Sequence, residues 1–203
     1  MPGRIKKIFK RQQGFTLAEM IITVGILIVL TSAAALIINP IEYFKQSRDV
    51  QRMSDLKNLQ TAVERYKYSG SRIGSLGSVN TIYISLVDGL SPTCTSLGLP
   101  SLVGGWSYYC VTSQASLQNI DGTGWIPVNL SGVGSLSTLP IDPTNNLSYF
   151  YAYAVNSSGQ IEFIAGLESQ KYLLSAAASD KGRDSTHFES GEDLTLWGQA
   201  YGL

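Results

Sequence analysis

The sequence predicts an α+β chain: a long N-terminal helix, apolar in its first half and amphipathic in its second, packed on a small antiparallel sheet. Three observations carry that expectation. Residues 15–38 are apolar apart from one acid. Residues 53–66 repeat apolar side chains at helical spacing. Beyond residue 105, short segments rich in aromatic and β-branched residues lie between turn signals.

The apolar half comes first. Phe15 to Ile38 is 24 residues with Glu19 as its one charge. At about 1.5 Å per residue, such a helix reaches about 36 Å, more than a hydrocarbon core of about 30 Å. Arg4, Lys6, Lys7, Lys10 and Arg11 precede it. Basic residues stay on the cytoplasmic side, so the rest of the chain should cross. The amphipathic half follows. Met53, Leu56, Leu59, Val63 and Tyr66 recur at steps of three and four, while Asp49, Arg52, Asp55, Lys57, Glu64, Arg65 and Lys67 fill much of the remainder. Gly70 and the Ser/Gly stretch after it supply a stop. Between the halves, Pro40 removes a backbone donor and clashes with the preceding turn, which predicts a kink or local melting at Asn39-Pro40. The resulting division is a basic leader (1–14), a transmembrane or assembly helix (15–38), its amphipathic continuation (39–69) and a sheet domain with loops (70–203).

The sheet domain opens on residues 70–105, rich in serine and glycine, which read as a long loop carrying short apolar pieces such as "TIYISLVDGL". Strands are predicted at "WSYYCVT" (106–112), "SYFYAYAV" (148–155) and "QIEFIAGL" (160–167). Asn156-Ser157-Ser158-Gly159 joins the last two as an antiparallel hairpin.

The chain has 203 residues, with 44% apolar and 15% charged residues, enough for one ordinary domain with an appendage. Its formal net charge is zero, but without the five leading basic residues 10 basic face 15 acidic. Beyond residue 70 the basic residues are Arg72, Lys171, Lys181 and Arg183. That balance argues against nucleic acid as an obligatory partner, because phosphate binding needs a basic face; only a filament concentrating the chain would bring such contact.

Two processing readings fit the N-terminus. An ordinary signal peptide would be cut at Ala33-Ala34-Ala35. The other reading cuts before the apolar run, between Gly14 and Phe15. An acid at the head of a signal peptide's apolar stretch has no purpose, and the helical pattern runs on past Ala35, so the second reading fits better.

Gly14-Phe15-Thr16-Leu17-Ala18-Glu19, behind a basic leader and before a long apolar run, resembles the processing site of the type IV pilin and type II secretion pseudopilin family. The resemblance implies a pilin-like fold, cleavage after Gly14 by a prepilin peptidase, and methylation of Phe15 by the same enzyme. It also implies a homo-oligomeric helical filament built on an assembly platform, without catalysis. The subunit would wait as a single-pass protein of the cytoplasmic membrane with its C-terminal domain outside, then pass into an extracellular filament. Glu19 matches the acid at the fifth mature position. A lone carboxylate at the centre of a membrane helix costs roughly 2.5–3.5 kcal/mol, less near an end. The amine of Phe15 in one copy would meet Glu19 of its neighbour and neutralise both, setting axial register. The bland alternative is a surface acid snorkelling at the membrane boundary.

The body carries weaker resemblances. Leu139, Pro140, Asp142 and Pro143 match a Leu-Pro-x-Asp-Pro segment of major pseudopilins, with Thr144 where a tryptophan usually stands; the alternative is a plain Pro-Asp turn. The tail concentrates Asp180, Asp184, Glu189, Glu192 and Asp193, a composition similar to the calcium loop of major pseudopilins, which implies calcium on Asp180, Asp184 and Asp193. The spacing is not that of an EF-hand, and the alternative is a solvated loop with Asp180 or Asp184 capping a turn. Cys94 and Cys110 lie sixteen apart without a nearby histidine, a poor metal site; in an exported body they would form a disulfide worth roughly 3 kcal/mol.

Catalytic motifs are missing. There is no Gly-x-Ser-x-Gly, phosphate-binding glycine loop or His-Glu-x-x-His, and His187 is the only histidine. Glu162 with Glu168 as a carboxylate pair, and Ser185 with His187 as a relay, are conceivable but unmarked. Trp106, Tyr108, Tyr109, Tyr149, Phe150, Tyr151 and Tyr153 could form a sugar-binding strip, although strand aromatics more often serve packing. A filament subunit therefore leads. A secretion pseudopilin, a minor pilin acting as an adhesin or DNA-uptake module, and an exported enzyme follow it.

Overall fold

A computed structural model describes residues 14–69, 76–134 and 136–203, with the backbone alone at 35–38. The chain divides into two compact units between Tyr43 and Phe44.

The first unit contains α1 (Leu17–Ile38) and the start of α2 (Pro40–Tyr68). One residue, Asn39, separates them in a left-handed conformation with φ 43°. A residue before proline is disfavoured in the right-handed helical region, and asparagine tolerates the left-handed one better than most. Pro40 is thus the first residue of α2, where its missing N–H would have had no intrahelical partner. The Asn39 carbonyl accepts from the amides of Glu42 and Tyr43 at 3.1 and 3.3 Å, which ties the break to the turn that follows.

The second unit holds the rest of α2 and a five-stranded sheet in the order β2-β1-β3-β4-β5, namely β1 (Thr81–Val87), β2 (Ser107–Val111), β3 (Tyr151–Val155), β4 (Ile161–Gly166) and β5 (His187–Gly191). The β3–β4 hairpin forms as expected, with Tyr153 opposite Phe163. Three features depart from the sequence expectation. The sheet is mixed, because β1 and β2 run parallel with Ile82 opposite Tyr108. "TIYISLV", read as part of a loop, is β1. "HFESG", read as acidic tail, is edge strand β5, paired with β4.

These departures share a cause. Both faces of the sheet are covered. On one, Leu56, Leu59, Ala62 and Val63 of α2 pack with Tyr83, Tyr151, Tyr153, Ile161 and Phe163, joined by Trp125 from the 112–150 connection. On the other, Ile82, Ile84, Ala152 and Ile164 pack against Trp197 and Ala200 of the short helix α4 (Leu196–Tyr201) and the Cys94–Cys110 bridge. A helical turn α3 (Gln170–Tyr172), continued by a π-helical turn (Leu173–Ala177), links β4 towards β5. Strands buried on both sides lose the apolar–polar alternation that marks a half-exposed strand, so β1 reads as a mere apolar run. A parallel pair also needs a crossover of a dozen or more residues. Residues 88–106 provide it, and their serine and glycine content is that of a connection.

Candidate functional site

The head of α1 brings together Gly14, Phe15, Thr16 and Glu19. Thr16 is the N-cap, extended at φ −79°, ψ 156°. Its Oγ1 accepts from the Glu19 amide at 3.2 Å. In return Glu19 Oε2 accepts from the Thr16 amide and the Thr16 hydroxyl, both at 2.8 Å. This is a capping box: the side chain at each end of the first turn satisfies a backbone donor that the helix leaves free. The Thr-x-x-Glu pattern before an apolar run is its sequence signal, and the sequence reading missed it. Every atom of the box lies downstream of the Gly14–Phe15 bond, so cutting that bond leaves it intact. Both intrachain bonds fall on Oε2. Glu19 Oε1 has no hydrogen-bond partner among the described residues.

Gly14 and Phe15 precede the helix and are exposed, Phe15 at 78%. A Cβ built on Gly14 would meet nothing within 4 Å, and its φ lies outside the left-handed region. Packing among the described residues therefore makes no demand for glycine here. Beyond the cap, α1 is apolar on every side, and each residue from Leu17 to Ala34 is exposed. It is the one helix among the described residues long and apolar enough to cross a membrane. A helix apolar all round needs lipid or other protein around it. Thr23, Thr31 and Ser32 do not break that character, because each hydroxyl donates to a carbonyl of its own preceding turn.

In the second unit, Arg52 occupies the centre of a buried ionic cluster. Its Nη1 donates to Asp49 Oδ1 at 2.8 Å and its Nη2 lies 2.6 Å from Glu168 Oε1. Asp49 also accepts the amides of Glu168 and Ser169. Arg48 donates to Glu168 as well, and the Tyr149 ring lies 4.9 Å from the Arg52 guanidinium carbon. The sequence reading placed Asp49 and Arg52 on the solvated side of the helix; both are fully buried. Arg52 stands one helical turn before Leu56, so it shares the core face, and the carboxylates there make that position tolerable. Asp142 belongs to the Leu-Pro-x-Asp-Pro segment and accepts from Arg52 and the Thr144 amide. Burial alone would raise the Asp142 carboxyl, but those donors hold it below the usual range.

The remaining predicted positions are dispersed. Cys94 and Cys110 are joined through their sulfurs, tying the crossover to β2. Asp180 accepts the amides of Gly182 and Glu189, and Asp184 those of Thr186 together with the His187 ring. Asp193 accepts from Asn156 and Thr195. The three aspartates thus accept from separate sets of donors, and no group of three or more potential metal ligands occurs among the described residues. Glu162 and Glu168 are not a pair: Glu162 accepts the Trp197 amide at 2.7 Å, whereas Glu168 faces the arginines. His187 turns to Asp184 rather than Ser185. The leader cations Arg4, Lys6, Lys7, Lys10 and Arg11, and Arg72, lie outside the described residues.

Residues 9–35 match the family model of the prokaryotic N-terminal methylation motif, the signature of type IV pilins and pseudopilins. Comparison with curated proteins and with solved structures found no match.

Proposed function

We propose that this chain, which carries the methylation signature, is the precursor of a subunit in a type IV pilus-like filament. It is cut after Gly14 and polymerises through α1. The observation that carries the reading is the coincidence of that signature with an α1 apolar and exposed on all sides. Such a surface is at home in a bilayer before assembly and among copies of itself afterwards. The unconstrained Gly14 supports recognition by an outside agent, since packing within the subunit does not call for it. The open Oε1 of Glu19 supports pairing with the Phe15 amine of a neighbour, while Oε2 stays on its own helix. Catalysis has no part in this role, and the Cys94–Cys110 bridge suits a body held outside the cytoplasm.

Intact-mass analysis of the protein from its native membrane tests the reading. A chain beginning at a methylated Phe15 is expected, with filaments visible by electron microscopy. A chain beginning at Leu36 would instead place it among exported proteins with an ordinary signal peptide.

A secretion pseudopilin is the second reading, favoured by Leu139, Pro140, Asp142 and Pro143, and by the burial of Asp142 on Arg52. Deleting the gene separates the two: loss of surface filaments marks a pilus, and loss of secreted enzymes marks a secretion pseudopilus.

A further inference from the structure

An open groove of about 330 Å³ lies in the second unit, far in sequence from the processing head, where the turn before β3, the start of β5 and α4 converge. Phe150, Trp197 and Tyr201 form its aromatic wall, with Leu99 and Leu147 beside them. Trp197 is nearly buried and meets Tyr201 as a tilted pair with ring centroids 4.3 Å apart, so the wall is held from behind.

The polar atoms of the groove fall into two groups. Asp184 is used up. It accepts from the Thr186 amide, the Thr186 hydroxyl, His187 Nδ1 at 2.7 Å and Trp197 Nε1 at 3.3 Å. Its bond to Nδ1 leaves the other ring nitrogen of His187, Nε2, without a partner among the described residues. Tyr108 donates to the Pro100 carbonyl at 3.1 Å, so the Tyr201 hydroxyl, 2.5 Å from Tyr108, donates to Tyr108 and keeps its own lone pairs free. Ser148 Oγ has no partner among the described residues. The groove thus offers a ring nitrogen, the hydroxyls of Tyr201 and Ser148 and an aromatic wall, while its carboxylate, Asp184, is engaged by four donors.

Charge and hydrogen bonding select the occupant. An anion finds no lysine or arginine in the lining, and a cation finds Asp184 already satisfied by four donors. An apolar side chain would strand His187 Nε2 and the Tyr201 hydroxyl, and a polar group left without a partner on burial is costly. A neutral ligand whose hydroxyls both donate and accept, and which presents a C–H face to aromatic rings, satisfies every one of these atoms. The volume sits at the low end of small-ligand sites, about 300–1,000 Å³. We propose that this groove binds the pyranose ring of a neutral glycoside, with Phe150 and Tyr201 against its C–H face and His187 Nε2 and Tyr201 Oη hydrogen-bonded to its hydroxyls. The proposal stands apart from filament assembly and does not need it.

His187 is the only histidine, so its ring nitrogens form a unique reporter. The full chain, labelled with ¹⁵N-histidine in sugar-free polyoxyethylene detergent, is titrated with the methyl pyranosides of glucose, galactose and mannose, and with glycerol. The expected result is a saturable shift of His187 Nε2 with at least one pyranoside at millimolar concentration, and none with glycerol. Tyr201→Phe, which keeps the ring, should weaken binding by about three- to tenfold, the worth of one hydrogen bond. Ser148→Ala, at an exposed turn, should weaken it without affecting folding. No shift with any pyranoside, an equal shift with glycerol, or unchanged affinity in both variants would overturn the proposal. A shift driven by protein concentration alone would also overturn it and assign the groove to a second copy of the chain.

Discussion

Arg52 and Asp142 are joined by two parallel hydrogen bonds, Nε to Oδ2 at 2.6 Å and Nη2 to Oδ1 at 2.9 Å, with both side chains fully buried. The contact fastens the segment before β3 to the core face of α2 across 90 residues of sequence. Removing Arg52 strands Asp142 and takes the guanidinium from Asp49, whereas removing Asp142 leaves Arg52 its bonds to Asp49 and Glu168. Arg52→Met should therefore cost about 3–5 kcal/mol and Asp142→Leu clearly less, read as the urea midpoint of tryptophan fluorescence. The double variant should lose less than the sum of the two, since Asp142 is then no longer stranded, although Asp49 stays without its guanidinium. Additive losses would show that the pair does not act as a unit.

Glu162 predicts an unusual pH dependence. It is buried on β4, its Oε1 has no hydrogen-bond partner among the described residues, and burial pushes its carboxyl from 4.5 up to about 9. Between those values the native state holds a proton that the unfolded chain releases. Stability should consequently fall as pH rises from 4.5 towards 9, by up to about 1.4 kcal/mol per pH unit. Burial also raises Glu189, to about 7, which adds to the slope below that pH. Glu162→Gln should flatten the decline above pH 7 in denaturation midpoints. Asp142 and Glu168 act oppositely: their lowered carboxyls contribute stability above the ordinary carboxylate range, and it is lost as pH falls through their folded values.

The capping box separates two roles of one acid. Thr16→Ala removes the cap and should cost about 1 kcal/mol at the start of α1, seen as faster amide exchange of residues 17–20, while Glu19 keeps its charge and filaments still form. Glu19→Ala loses both cap and charge; processing should persist and filament yield should collapse. Equal filament yields in the two variants would assign Glu19 to capping alone.

The bridge between Cys94 and Cys110 closes a loop of separation 16 at the sheet edge. Cys94→Ser should lower stability by roughly 3 kcal/mol under oxidising conditions and change nothing further when reductant is added. A wild-type melting temperature indifferent to reductant would remove the bridge from the stability of the body.

Part of this molecule is legible in the chain because its cause is local. The apolar run of α1, the Leu56–Leu59–Val63 stripe, the β3–β4 hairpin and the methylation motif rest on spacing and on neighbouring residues. Thr-x-x-Glu was equally readable, since a capping box is closed within one turn. Tertiary structure alone decided that Arg52 is a core residue, that "TIYISLV" is a strand with a parallel neighbour, and that Asp184, His187 and Tyr201 border one groove. Each depends on a partner far along the chain: Asp142 for Arg52, β2 for β1, and Tyr108 for Tyr201. A charge becomes tolerable in a core, and a hydroxyl acquires a direction, only when the fold supplies the opposing atom, and no local period records that.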